Sequence, residues 1–312
     1  MRGSRARAFI GAGVLLFAVT ARAIPAGAAE QSVGQKLKAC AQGAPLDSFI
    51  AHLHILGLKD FAHVNIEIGT SGNDTFTDTP GVDLMCGLAG NDFVETLHAG
   101  DVFLGNAGND SIGTPSSQKA MFGGTFIGGD GNDQVDRLSG GTFDGGPGDD
   151  QVEFVDGGAV FNGGPDNDSV DTEINRGTFN GGDGDDFVRM DEGIFNGGPG
   201  SDFVYAGIGG VFNGGADGDS VEYFIGGGTF IGGGTFNGGP GADSVRYLGF
   251  DPEDGSPTFN GGAGNDTVDT LFSGTFNGNV GDDSVAIMNA GTFNGGLGTD
   301  TVATFNGGTF NQ

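Results

Sequence analysis

The sequence predicts an all-β solenoid, a stack of short coils behind a small N-terminal cap, and three observations predict it. An aspartate follows a glycine turn at a nearly constant interval: Asp74, Asp92, Asp110, Asp133, Asp150, Asp168, Asp186, Asp202, Asp219, Asp243, Asp266, Asp283 and Asp300. Two residues after each stands an apolar side chain, Phe76, Val94 and Ile112 and then valine from Val135 to Val302. A second apolar column is written "GTFN", "AVFN", "GIFN" or "GVFN" and carries Phe143, Phe161, Phe179, Phe195, Phe212, Phe236, Phe259, Phe276 and Phe293. Glycine supplies 67 of 312 residues and proline 10, a composition that without a period indicates low complexity. A fixed period indicates instead a solenoid in which each unit buries its apolar face on its neighbours.

Residues 1–28 read as a secretory signal peptide: "MRGSRAR" is basic, "AFIGAGVLLFAVTA" is uncharged and "IPAGAA" ends in small residues. The uncharged run has 14 residues, short of the roughly 20 that span a bilayer as a helix. No adjacent arginine pair occurs there, which favours the general secretory route over the twin-arginine one. Cleavage after Ala28 removes four of the 12 basic residues and none of the 41 acids, taking the net charge from −29 to −33. Such a field repels nucleic acid and anionic membrane and attracts cations.

Residues 29–68 read as the cap that solenoids require. Within them "PLDSFIAHLHILGLKDFAHVNIEIG" (45–69) gives a short amphipathic helix and then a strand leading into the first repeat. His52, His54 and His63 raise a zinc site, but no thiolate or evident fourth ligand accompanies them, so they read as cap histidines. Cys40 lies in the cap and Cys86 in the first repeats. An exported protein can join them; two unpaired, partly buried thiols are the other reading.

Residues 69–112 explain the period. Asp74, Asp83, Asp92, Asp101 and Asp110 fall every nine residues, followed two later by Phe76, Met85, Val94, Phe103 and Ile112. A coil of about 18 residues is thus two nonapeptides, each a turn and a strand with its side chains alternating in and out. In residues 113–312, which begin with "GTPSSQKAMF" (113–122), the second nonapeptide has lost its acid, so acids remain on one edge only. The steps are 16 to 18 residues apart from three of 23 or 24, one of which contains the duplication "GGTFIGGGTFNGG".

"GGDGNDQVD" (128–136) and "GGAGNDTVD" (261–269) carry a resemblance. The pattern GGxGxDxUx, repeated in phase over roughly residues 69–302, resembles the calcium-binding nonapeptide of repeats-in-toxin proteins, the haemolysin type. The resemblance implies a right-handed parallel β-roll with calcium ions between adjacent turns. It also implies that the turn glycines and the residue before the acid (Asn132, Asp149, Asn265) contribute main-chain oxygens.

The chemistry of the repeats agrees. Coils of a parallel stack lie about 4.8 Å apart, and two carboxylates at that distance repel by roughly 3 kcal/mol at an effective dielectric near 20. Calcium accepts six to eight hard oxygen ligands in flexible geometry. The expected ligands are the 13 regular aspartates together with Asp83 and Asp101 on the second edge of the first coils. Asp133, Asp243 and Asp266 beside the long coils, and Asp168, Asp219 and Asp283 in altered turns, depart furthest from the motif. The acid-free edge must hold by backbone and asparagine stacking.

No HExxH, GxSxG or other catalytic signature is present, and the expectation is a non-enzymatic, secreted, calcium-binding repeat protein of the cell surface or matrix. The alternative is an ice- or polysaccharide-binding solenoid using the outward Thr and Asn columns (Thr178 and Asn180, Thr258 and Asn260, Thr275 and Asn277, Thr292 and Asn294), with calcium as scaffold. The chain ends in "TFNGGTFNQ", without the long extension that serves as a one-step export signal in the family, which leaves export to the N-terminal signal. An open last coil exposing Phe305 and Phe310 offers either self-association or a frayed end.

Overall fold

The computed structural model describes residues 31–113, 120–207, 209–224, 234–249 and 256–312. The signal-peptide reading and parts of "GTPSSQKAMF" and "GGTFIGGGTFNGG" lie outside them. Among the described residues two short helices, Val33–Cys40 and Leu46–Ile55, precede 25 strands that pair in parallel, each with its equivalent one coil away. The chain is therefore the all-β solenoid that its period implies. Among the described residues no helix is long and apolar enough to cross a membrane.

Two columns run as expected. The aspartate-proximal residues pair in register from Phe76 through Val94, Ile112 and Val135 to Val285 and Val302. The phenylalanines pair from Phe103 through Phe126 and Phe143 to Phe293 and Phe310. Their rings stack with centroids 4.5–5.0 Å apart and planes 3–13° from parallel, so successive coils are nearly untwisted. Eleven of these phenylalanines, Phe103 to Phe293, are fully buried. Removing such a side chain costs about 3–5 kcal/mol.

A third inward column completes the core: Leu97, Met121, Leu138, Val155, Ile174, Met190, Leu248, Leu271 and Met288. Apart from Met121, which follows a longer coil, its members come four to six residues after their aspartates. Register shifts between Val170 and Ile174 let coils of different length keep Ile174 beside Met190.

The cap lies against a side wall rather than across the end of the stack. Leu37, Cys40, Leu53 and Leu58 form a separate apolar cluster with Ile66, Leu84, Cys86, Val102 and Leu104. In Val82–Cys86 the alternate residue Met85 points into the roll while Leu84 and Cys86 meet the helices, which is why the period-two pattern vanishes there. Cys40 and Cys86 are joined, with Cα atoms 5.6 Å apart. A cross-link over 46 residues stabilises by about 4 kcal/mol in the chain-entropy account. In the cap, His54 stacks on Phe61 and His63 bonds Asp60 at 2.8 Å, and among the described residues the three cap histidines do not converge on a metal-sized cluster.

The acid-free turns are joined by backbone bonds, such as Thr142 N–H to Gly124 O and Val160 N–H to Gly141 O at 3.1 Å, and the asparagines stack instead along the outer face of the phenylalanine strands that follow. From Asn162 on, each Asn of the "TFN" strands donates its side-chain N–H to the side-chain oxygen one coil back, through Asn180, Asn196, Asn213, Asn237, Asn260, Asn277 and Asn294 to Asn311. Eight of these bonds measure 2.7–2.8 Å.

Candidate metal centre

The turn aspartates form one continuous edge. Each lies between a glycine turn and its valine strand, and the strand pairing stacks it on its equivalents. One carboxylate oxygen, Oδ1, accepts the backbone N–H of the aspartate one coil earlier, from Asp74 N–H to Asp92 Oδ1 at 2.7 Å through to Asp283 N–H to Asp300 Oδ1 at 3.0 Å. The altered turns make the same bond: Asp150 N–H reaches Asp168 at 2.7 Å, Asp202 N–H reaches Asp219 at 2.9 Å and Asp266 N–H reaches Asp283 at 2.8 Å. So do Asp133, Asp243 and Asp266 beside the long coils, at 2.6–2.9 Å. Their backbones explain it, because Asp166, Asp217 and Asn279 take the positive φ of 76–80° that glycine supplies in regular turns.

The other oxygen has no partner. Oδ2 of Asp92, Asp110, Asp133, Asp150, Asp168, Asp186, Asp202, Asp219, Asp243, Asp266 and Asp283 is buried without a hydrogen bond, in residues about 1% exposed or less. Each faces the Cα of the glycine five residues earlier. A methyl group on Gly87, Gly105, Gly128, Gly145, Gly163 or Gly181 would overlap that oxygen, and would lie 2.7–3.0 Å from the carbonyl oxygen of the equivalent glycine one coil on. Carboxylate and carbonyl oxygens from two adjacent coils thus border one small cradle that only a glycine leaves open.

Buried, partnerless anionic oxygens are costly, and the carboxyls respond. Burial pushes them up from the ordinary value, to about 7 at Asp110, Asp133, Asp186 and Asp266, about 8 at Asp150, Asp168 and Asp219, and about 6 at Asp202. Asp92, Asp243 and Asp283 shift the same way for the same cause. The bond from the preceding amide opposes the shift and repulsion from neighbouring carboxylates adds to it. Burial ahead of mutual repulsion is thus what a cation would have to offset. The donors are all oxygen, which suits a hard cation such as calcium and not zinc or copper.

The second edge differs. Asp83 accepts the N–H and O–H of Thr79 at 2.9 and 2.7 Å and the Asn65 side chain at 2.9 Å. Asp101 accepts Asp83 N–H at 3.0 Å and His98 N–H at 2.9 Å. Both carboxylates are satisfied by the chain itself. At the start of the main edge Asp74 is half-buried and bonds Thr70; at its end Asp300 accepts only from Asp283 among the turn amides.

Sequence reasoning assigned main-chain oxygens to the residue before the acid and overlooked its side chain. Oδ1 of Asn73, Asn91, Asn109, Asp149, Asn167, Asp185, Asn265 and Asp282 accepts the backbone N–H of the equivalent residue one coil later. The Asn or Asp that recurs at that position in nine of the 13 turns is the available signal. Where both are present, the two ladders run in opposite directions along the turn and satisfy both of its amides. Asp78, His98 and Asp101 also bring ligand atoms within 4.8 Å of one another.

No family model and no curated protein matches the sequence. Among solved structures the chain is similar to one described as a hyperactive, Ca2+-dependent, beta-helical antifreeze protein from an Antarctic bacterium, with a TM-score of 0.50 and 19% identity over 81% of this chain and 83% of that one. That likeness establishes the β-helical fold.

Proposed function

We propose that the chain is a secreted, non-enzymatic calcium-binding solenoid whose roll folds when calcium fills its aspartate edge after export, and that it serves a structural or adhesive role at the cell surface or in the matrix. The observation that carries this reading is the row of eleven buried Oδ2 atoms without partners, each beside a glycine cradle. Calcium bound there would supply positive charge and the missing coordination to oxygens of adjacent coils. The chain's own part is to hold Oδ1 on the preceding amide, so that Oδ2 is already aimed into the cradle. Support comes also from the repeats-in-toxin resemblance and from the calcium dependence named for the structurally similar antifreeze protein. The ligands we assign first are the eleven orphaned aspartates, then Asp74 and Asp300 at the ends, and last Asp83 and Asp101, whose oxygens are satisfied.

At sites in the weak range of about 0.1–1 mM typical of extracellular modules, a tenfold excess of calcium stabilises the fold by about 1.4 kcal/mol per site. The test is a calcium titration of residues 29–312 followed by far-UV circular dichroism, with magnesium as control. A steep, calcium-selective gain of β signal is expected. A β spectrum unchanged in chelator would overturn the reading.

One observation favours the ice-binding alternative as a second reading. Thr235, Thr258, Thr275, Thr292 and Thr309 stand in register on an outward column of a wall that the parallel phenylalanine rings show to be flat. Thermal hysteresis by the folded protein, lost on Thr275→Lys with Thr292→Lys, would support it.

A further inference from the structure

We propose that a different wall, the outer side of the strands that follow the turn aspartates, binds a neutral polysaccharide chain laid along the roll axis. The proposal deepens the adhesive reading above and rests on it. The chain has no tryptophan and three tyrosines, and all three, Tyr205, Tyr223 and Tyr247, stand on successive coils of this wall. Tyr205 is 40% exposed and meets Tyr223 edge-on at 6.0 Å; Tyr223 stacks on Tyr247 at 5.3 Å, and Tyr247 lies 6.4 Å from Phe272. Three of the four arginines of the described roll are on the same wall. Arg137 lies 4.4 Å over Phe154, Arg189 4.7 Å over Tyr205 and Arg246 5.3 Å from the Tyr247 ring centre.

Cross-strand packing alone does not call for this segregation. The outward column of the phenylalanine wall pairs coil on coil with Thr142, Val160, Thr178, Ile194, Val211 and Thr235, with no ring or charge among them. Aromatic rings with a polar tip suit surfaces that are partly apolar and partly wet, and the two faces of a pyranose ring are of that kind. The continuous strand Ser169–Asp183, with its register shifts, opens two adjoining shallow grooves between the rings. Arg137, Phe154 and Asp156 line one, Arg189, Asp191 and Tyr205 the other, and Glu173 borders both. Bulges of this kind recur beside binding sites.

Charge selects a neutral chain. Arg137 pairs with Asp156 at 2.5 Å, Arg176 with Glu192 at 3.0 Å, and Arg246 with Glu222. The wall therefore offers planar donor and acceptor pairs for hydroxyl groups rather than a positive field, and a net charge of −29 repels polyanions. A coil spacing of about 4.8 Å is also close to the advance per sugar of an extended pyranose chain.

The experiment uses residues 29–312 in calcium and scores retention on cellulose, chitin and a mixed-linkage glucan, with alginate as the anionic comparison. Tyrosine fluorescence, which reports this wall alone, is followed in the same samples. Retention by at least one neutral polysaccharide is expected, falling tenfold or more in Tyr205→Ala with Tyr247→Ala and unchanged in Thr275→Lys with Thr292→Lys on the opposite wall. Protein that is folded by circular dichroism yet held by none of the three, held equally by the tyrosine variant, or held by alginate alone would overturn the proposal. Failure of the underlying calcium reading would appear separately, as a β signal indifferent to calcium before any glycan is added.

Discussion

At the scale of one residue, the turn aspartate has two oxygens with different fates. Oδ1 is tied to a backbone amide and Oδ2 is stranded, so without a cation the carboxyl prefers its proton. The folded-state values of about 7 to 8 at Asp150, Asp133 and their equivalents lie above the ordinary value near 3.9. Between those values the folded state binds more protons than the unfolded one, and stability therefore falls as pH rises. The metal-free roll should be most stable near pH 4 and lose stability up to about pH 8, while in saturating calcium the slope should reverse because protons compete for the same oxygens. Thermal melts in chelator and in calcium across that range would show it; a chelated protein that gains stability from pH 5 to 8 would refute the orphaned-carboxylate account.

The glycine opposite that oxygen is the second residue-scale lever. Gly163 does not need positive φ, yet an added methyl would overlap Asp168 Oδ2. Gly163→Ala should lower the calcium response of its own coil and destabilise by about 1–3 kcal/mol, the usual cost of overpacking. Gly158→Ala supplies the contrast, since nothing lies within 4 Å of its added methyl and its penalty is confined to its left-handed φ of 84°. Equal calcium midpoints in the two variants would argue against the cradle.

At the scale of the coil, the sequence shows the acid, the valine and the phenylalanine because each recurs at a fixed offset with one dominant residue type. The third core column escapes notice because Leu138, Ile174, Met190 and Leu271 vary in type and fall four to six residues after their aspartates. The cap's seat on the side wall was hidden for the opposite reason, since Leu84 and Leu104 belong to an outward column that is polar or open elsewhere. At the site, the acids were legible and their division was not: Asp83 has no free oxygen because Thr79 stands four residues before it, where the turns from Asp110 on carry glycine or asparagine on the main edge, while Asp92 keeps one. The asparagine ladder makes its own prediction. Asn180, Asn196, Asn213, Asn237, Asn260, Asn277 and Asn294 each precede glycine, the pairing in which the next backbone nitrogen most readily attacks the side-chain amide carbon and expels ammonia. Extended strands with both side-chain groups bonded hold that nitrogen away. Peptide mass analysis should find these asparagines intact in calcium and converted by water to aspartate and isoaspartate over days in chelator at pH 8. Equal conversion in both conditions would mean that the ladder forms without the metal or does not protect.

At the scale of the whole molecule, stability is a sum of coil terms and nearest-neighbour terms, and each candidate cradle draws oxygens from two adjacent coils. Position along the stack should therefore matter more than the chemistry of any one substitution. Asp202→Ala removes a ligand in the middle of the acid edge. It should leave two shorter stacks that fold separately, with a shallower calcium titration and a higher midpoint for both. Asp283→Ala near the end should leave one long stack with nearly the original steepness and the loss of only its final coils. Hydrogen exchange read peptide by peptide at intermediate calcium distinguishes the two, because the central variant should lose protection on both sides of Asp202 and the terminal variant only beyond Asp266. Uniform loss in both would mean that the phenylalanine stack, unbroken from Phe103 to Phe310, couples the roll more strongly than the cation edge does.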